Sequence, residues 1–321
     1  MPESRKDSSN SSSLLTVLIA FGANLIVAVA KTIAAILTGS ASLVAESAHS
    51  WADAGNEIFL IQAERRSAKP RDAAHPGGYG REAYVWSLFA AVGLFTAGAV
   101  VSITHGVSEL GSTEPASDYL VGYIVLAVSF VFEGISFLQS LRQARALASE
   151  RGTSTLRHVL TTSNPTLRAV FAEDAAALIG LIIAFLGLLL HELTGNAFYD
   201  ALGSILVGVL LAVVAIVLID RNRRFLLGEP GSPQVTDAVL RLLLQHPEVD
   251  KVTYLHLEFV GPERFYLVAA VDLVGNDVES DVAADLAAVE HEIERSEYIG
   301  EAVLTLSRPG AEPLHPAVIA D

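Results

Sequence analysis

No cysteine occurs anywhere in this chain. That removes disulfides and thiolate metal sites, and leaves His, Asp, Glu, backbone carbonyls and water as the metal ligands on offer. Charge is scarce too: 18% of residues are charged, against 51% hydrophobic. Basic residues are the minority, 21 against 36 acidic, and the formal net charge of -15 argues against a nucleic-acid partner. A mean hydropathy of +0.45 is too apolar for an ordinary soluble domain and points to a protein whose partner is the lipid bilayer.

The Ser-rich start, residues 1–13, reads as a short disordered tail and not as a cleaved signal peptide, because no small-residue cleavage site follows a short apolar core. Six apolar segments follow, at 14–38, 42–63, 83–105, 119–141, 167–190 and 198–219. Each has about 20 residues or more, enough to cross the hydrocarbon core. The loops alternate in charge. Arg65, Arg66, Lys69, Arg71 and Arg81 lie between the second and third segments, Arg142, Arg145, Arg151, Arg157 and Arg168 between the fourth and fifth, and Arg221, Arg223 and Arg224 after the sixth. The stretches 39–41, 109–118 and 191–197 carry neither Lys nor Arg. The positive-inside rule then predicts a six-helix transmembrane bundle over 14–222 with both termini in the cytoplasm.

From about Phe225 the texture changes, and acidic residues crowd the rest of the chain. Pro230-Gly231-Ser232-Pro233 reads as a linker ahead of a helix at 235–245. Strands are expected at 249–259 and 264–273 around a Gly261-Pro262 turn, then a helix at 281–295 and a short strand at 302–307. The order αββαβ predicts a small cytoplasmic α/β domain of ferredoxin-like type over 223–308, with 309–321 as a tail.

The second segment is the least hydrophobic because it carries Glu46, His49, Asp53 and Glu57. At spacings of three, four and four these share one helix face. A carboxylate at bilayer depth costs about 2.5 kcal/mol or more, and chains that keep one usually use it for an ion pathway. Imidazole with carboxylate suits zinc and similar divalent metals, so His49 and Asp53 are the leading metal ligands; a polar seam holding helices together is the alternative. Glu46 and Glu57 lie nearer the membrane surfaces. In the fifth segment Glu173 and Asp174 are adjacent and point about 100° apart, so one is expected to bind metal and the other to sit beside the site. Acids at a helix N-terminus, favoured by the macrodipole, are the alternative there. Glu133, isolated in the fourth segment, is a candidate for metal or proton handling, or a partner for Lys31. Asp72 and His75 form a possible surface metal site, with a structural turn as the alternative. His246, His256 and His291 lie among acids in the C-terminal domain and offer a possible regulatory metal site.

Ser47-Ala48-His49-Ser50-Trp51-Ala52-Asp53, the run His75-Pro76-Gly77-Gly78-Tyr79-Gly80-Arg81, the six spans and the C-terminal α/β domain together resemble the cation diffusion facilitator family. The resemblance covers residues 14 to 308, and Asn24 and Asp200 also match positions the family commonly fills that way. Ala172-Glu173-Asp174 through Gly180, with Phe132-Glu133-Gly134 and Tyr84-Val85-Trp86-Ser87-Leu88, is similar to the branch containing zinc transporter nine. The resemblance implies a homodimer that exports Zn²⁺ or another divalent metal from the cytoplasm in exchange for protons, through a tetrahedral site between the second and fifth spans. His49 and Asp53 fill the second-span half. Asp174 matches the second fifth-span ligand, but the first falls on Val170, which has no donor. A fourth ligand then comes from Glu173, Glu133, water or a shifted register. A family zinc site using two histidines four apart would start at His75, but Tyr79 stands at its second position.

The function expected is proton-coupled export of a divalent cation, Zn²⁺ first and Mn²⁺, Fe²⁺ or Co²⁺ if the site proves richer in carboxylates. A non-transporting metal sensor or scaffold of the same fold is the alternative, resting on Val170. An enzyme is not expected, since His49 and Asp53 supply no His-Glu-x-x-His arrangement. Short loops and the absence of a targeting segment favour a bacterial inner membrane.

Overall fold

The computed structural model describes residues 4–111 and 118–316. Residues 1–3 of the expected N-terminal tail, 112–117 of the 109–118 loop and 317–321 of the C-terminal tail lie outside the described residues. Two compact units form, Met1–Ala63 with Val85–Asn222, and Glu64–Tyr84 with Arg223–Asp321.

The first unit is helical. Its elements are α1 (Ser4–Thr38), α2 (Ala41–Ser67), α3 (Glu82–Ala90), a π-helical turn (Ala91–Phe95), α4 (Thr96–Glu109), α5 (Tyr119–Glu150), α6 (Thr155–Thr161), α7 (Pro165–Thr194) and α8 (Phe198–Leu226). Among the described residues, five stretches are long and apolar enough to cross a membrane: Phe21–Thr38, Glu82–Glu109, Tyr119–Glu150, Pro165–Thr194 and Phe198–Leu226. Helix α2 falls short on hydropathy, not length, because it carries the polar face described above. Helix α1 runs back through residues 4–13, the stretch expected to be a tail. That stretch holds no Pro or Gly to stop a helix propagating from the apolar run. Helix α6 has no sequence signature, because seven residues are too few to show a helical period.

Local chemistry explains the helix ends. Asn164 caps α7, accepting from the Thr166 N–H at 3.0 Å and the Leu167 N–H at 3.1 Å, with Pro165 at the first helical position, and Gly195 closes the other end at φ +66°. Helix α2 is capped from another helix. The Asp200 carboxylate on α8 accepts from Ser40 Oγ (2.8 Å), the Ala41 N–H (2.6 Å) and the Ser42 N–H (3.3 Å), which places a negative charge at the positive end of α2. Small residues bring helices close. A Cβ on Gly106 would lie 2.8 Å from the Ala201 carbonyl oxygen, and one on Gly208 3.0 Å from that of Ala99, so α4 and α8 meet backbone to backbone. Ile26, Ile36, Leu120, Val131, Ile135 and Ile216 are exposed, an outer surface suited to lipid.

The second unit contains α9 (Pro233–Leu244), β1 (Val249–Gly261), β2 (Arg264–Leu273), α10 (Glu279–Glu294) and β3 (Ile299–Leu306). Its sheet is mixed, in the order β1-β2-β3, with β1 antiparallel and β3 parallel to β2. The hairpin turn has Pro262 and then Glu263 at φ +58°, a type II-like arrangement that normally takes Gly or Asn at the second position. Leu243, Val252, Leu267, Val271 and Val289 fill the core between sheet and helices. Ser232 caps α9 by accepting from the Val235 N–H at 3.3 Å. Two α10 carboxylates close the edge of β3: Glu290 accepts from the Leu304 N–H at 2.6 Å and Glu294 from the Ala302 N–H at 3.0 Å.

Segment 64–84 belongs to this unit. Arg71 donates to the Gly300 carbonyl at 2.7 Å and Arg81 pairs with Glu258. A Cβ on Gly261 would lie 2.8 Å from the Gly80 Cα, so these two glycines let loop and hairpin touch through their backbones. Tyr84 stacks on Phe225, which meets Phe259 edge-on.

Candidate metal-transport site

Helix α2 carries the pair that dominates the sequence reading. His49 Nε2 lies 3.4 Å from Asp53 Oδ1, one turn away, with side-chain exposures of 1% and 13%. Neither ring nitrogen of His49 has a hydrogen-bond partner, nor does Asp53 Oδ1. Buried polar atoms are normally partnered; here His49 Nε2 and Asp53 Oδ1 face each other without forming a hydrogen bond and His49 Nδ1 has none, so the pair is open to a further ligand.

Helix α7 approaches at Gly180. A Cβ there would collide with Glu46 Oε1 and lie 3.9 Å from His49 Nδ1, so the missing side chain sets how closely α7 passes the α2 pair. The adjacent acids on α7 diverge. Asp174 Oδ1 accepts from Ser136 Oγ on α5 at 2.9 Å, and its buried Oδ2 has no partner. Glu173 Oε1 takes the side-chain amide of Asn56 on α2. Asp53 interacts electrostatically with Glu57, Glu133, Glu173 and Asp174, so one carboxylate-rich region gathers residues from α2, α5 and α7. Val170 packs beside the apolar cluster of Ala52, Leu60 and Phe95. Among the described residues no three His, Asp or Glu side chains stand close enough together to hold a metal ion.

The sequence offers Lys31 as a partner for Glu133. Lys31 pairs instead with Glu46, Nζ to Oε2 at 3.0 Å, both side chains buried. Glu46 is thus buried within the helical unit, with Lys31 as its counter-ion. Glu57 accepts from Asn24 Nδ2 on α1 at 2.6 Å. Composition and spacing gave no signal for Ser136, Asn56 or the Lys31–Glu46 pairing, because each contact joins two different helices and depends on how they pack.

In the segment before α3, Asp72 serves a turn. Its Oδ1 accepts from the Ala74 and His75 N–H groups at 2.9 and 2.8 Å, and its Oδ2 from Tyr79 Oη at 2.6 Å. These bonds hold the Asp72 carboxyl below the usual carboxylate range, Tyr79 contributing most. His75 Nδ1 is 3.5 Å from Asp72 Oδ1, and its ring stacks on Tyr79 at 4.0 Å. In the C-terminal unit His246 lies between Glu248 (2.7 Å) and Glu292 (3.2 Å), and His256 lies 3.4 Å from Glu258.

A sequence profile of the cation efflux transmembrane domain matches residues 17–227. The chain belongs to the cation efflux family. It is 37% identical over 236 residues to metal tolerance protein C4 of Arabidopsis thaliana, covering 74% of this chain and 52% of that protein. It is 35% identical over 248 residues to the mitochondrial proton-coupled zinc antiporter SLC30A9 of Mus musculus, covering 77% and 44%. Zinc transporter ZitB of Escherichia coli K12 is 24% identical over 246 residues, covering 76% and 73%. The chain thus spans about half the length of the first two relatives, and it resembles the branch containing zinc transporter nine.

Proposed function

We propose that this transporter exports Zn²⁺ from the cytoplasm in exchange for protons, and that His49, Asp53 and Asp174 bind the ion. The observation that carries the proposal is the set of buried, unpartnered donor atoms on these residues. Imidazole and carboxylate oxygens are a ligand set that zinc accepts. Names of relatives that include a zinc antiporter and a zinc transporter support the same cargo. Glu133 or Glu173 completes the coordination or carries the proton; Glu173, already engaged by Asn56, is the weaker ligand of the two. Asp72 and His75 serve the turn before α3, with surface metal binding secondary.

The cycle follows from competition between metal and proton. Neutral imidazole and ionised carboxylates bind the cation, the bundle opens to the far side, and protonation of the ligands releases the cargo there. An ordinary imidazole, with pKa about 6.5, titrates in the range where such competition works. Helix α2, 27 residues long or about 40 Å at 1.5 Å per residue, serves as a sixth crossing with its polar face turned to the bundle interior. With six crossings and the arginine-rich loops on the inner side, both ends of the bundle face the cytoplasm. The αββαβ unit is ferredoxin-like and holds a homodimer together.

The test is zinc flux into liposomes carrying an internal zinc dye under an imposed pH gradient. His49→Ala and Asp53→Ala are each expected to abolish flux, and collapsing the gradient is expected to slow the parent. Parent-like flux in either variant would overturn the site; flux indifferent to the gradient would overturn the exchange.

A further inference from the structure

The sequence counts Arg168 among the loop cations that orient the chain. In the fold it is a buried residue of α7, 1% exposed, six residues before Asp174. Its guanidinium donates through Nη1 to the Thr162 carbonyl at 2.8 Å, in the connection between α6 and α7. Through Nη2 it donates to Asn222 Oδ1 on α8 at 2.6 Å. The Asn222 amide in turn donates to Ser87 Oγ on α3 at 2.9 Å. One cation thus joins α7 to α8 directly and, through Asn222, to α3.

We propose that Arg168 is a latch: its guanidinium holds the start of α7 to α8 and α3 in one of the two states of the transport cycle, and transport requires that hold to be released. A buried cation is costly, and a chain that keeps one invests it in directional hydrogen bonds that nothing smaller can replace. The planar fork reaches two acceptors on different elements at once, which a lysine ammonium on its single stem does not reproduce. An ion carrier must open alternately to each side by moving one group of helices against another. Asp174 rides on α7, so whatever fixes the start of α7 also fixes where that carboxylate stands relative to His49 and Asp53. Thr162, Asn222 and Ser87 accept through neutral oxygens, and hydrogen bonds of that kind can break and re-form. This inference rests on the family's transport activity and not on the identity of the ion.

The natural absence of cysteine makes the test clean. Thr166 on α7 and Phe89 on α3 are exposed, and Thr166→Cys with Phe89→Cys gives one spin-label pair across the latch. Distances are read by pulsed electron paramagnetic resonance in detergent, and zinc flux in liposomes. Arg168→Gln and Arg168→Lys are each expected to shift the ratio of the two distance populations about tenfold, the size of losing one charge-assisted hydrogen bond. Asn222→Asp sets a carboxylate against the guanidinium. It is expected to narrow the distances to the latched population and slow flux several-fold, a loss of rate through a stronger contact that a purely structural role would not produce. If Arg168→Gln fails to fold, Ser87→Ala removes the far end of the network at little cost in volume and should show the same shift in weaker form. Parent-like distances in Arg168→Lys and Ser87→Ala, or parent-like flux in Asn222→Asp, would overturn the latch while leaving the zinc site untouched.

Discussion

The Lys31–Glu46 pair makes a quantitative demand on the fold. Its atoms are 3.0 Å apart, and the two side chains are 1% and 0% exposed. At an effective dielectric of about 20 the gross attraction is about 5 kcal/mol, and desolvating the two ions returns several kcal/mol each. The pair therefore adds little over a well-packed apolar substitute, but removing one member strands a buried charge at about 3–5 kcal/mol. Glu46→Gln and Lys31→Met should each lower the unfolding temperature by roughly 6–20 °C for a bundle of this size. The double variant Lys31→Met with Glu46→Leu should recover most of that loss. The intrinsic fluorescence of Trp51 is a suitable probe, since its indole donates to Thr32 Oγ1 on α1 at 3.0 Å and reports the contact between α1 and α2. Two results would refute the reasoning: single variants that melt within a degree or two of the parent, or a double variant that loses as much as both singles together. A Glu46→Gln protein of parental stability that no longer binds zinc would show that Glu46 is a ligand and not a counter-ion.

Two further predictions concern the ends of elements. Asp200→Asn keeps the shape but removes the charge that caps α2, and is expected to cost about 1–2 kcal/mol; faster amide hydrogen exchange at Ala41 and Ser42 would register it, and unchanged protection would count against the cap. Asp72 has its carboxyl held low by the Tyr79 hydroxyl and by the His75 and Ala74 amides, so the order it lends the turn is complete above the ordinary aspartate pKa of about 3.9 and is lost as the pH falls through its own lower value. Tyr79→Phe should move the Asp72 midpoint upward in carbon-13 titrations, and an unmoved midpoint would remove Tyr79 as the main cause.

What the sequence made legible was local. Asn164-Pro165 and Gly195 bracket α7 by capping chemistry that acts within one turn, and the two strands around Gly261-Pro262 follow from alternation and a turn. What stayed hidden was pairing across distance. Lys31 could have met Glu133 or Glu46, because helix rotation and tilt, not spacing, choose between them. Arg168 looked like a loop charge because the apolar run begins beside it, although Asn164 starts the helix four residues earlier. The π-helical turn at Ala91–Phe95 leaves no compositional trace, since one extra residue in a turn changes backbone geometry without changing residue type.

The buried acids of the helical unit fall into two groups, and the division bears directly on transport. Glu46 has Lys31, Glu173 has the Asn56 amide and Asp200 has the N-terminus of α2. Each of these charges is answered by a group that the fold supplies permanently, so each can stand in the bilayer whether or not cargo is present. Asp53 and Asp174 differ. Each keeps a buried open oxygen with no cation or amide answering its carboxylate among the described residues, and His49 keeps both ring nitrogens open. Glu46 Oε1 and Glu57 Oε2 also lack a hydrogen-bond partner, but their carboxylates are answered by the Lys31 ammonium and the Asn24 amide. A transporter needs binding groups whose desolvation is repaid only when the ion or its competing proton arrives, because a ligand already satisfied by the fold gains little from cargo. By that criterion Asp174, with one oxygen oriented by Ser136 and the other open, is a better ligand than its neighbour Glu173. For the proposed site the silent Val170 is then less of a deficit than it looks, because His49, Asp53 and Asp174 each keep an atom without a hydrogen-bond partner.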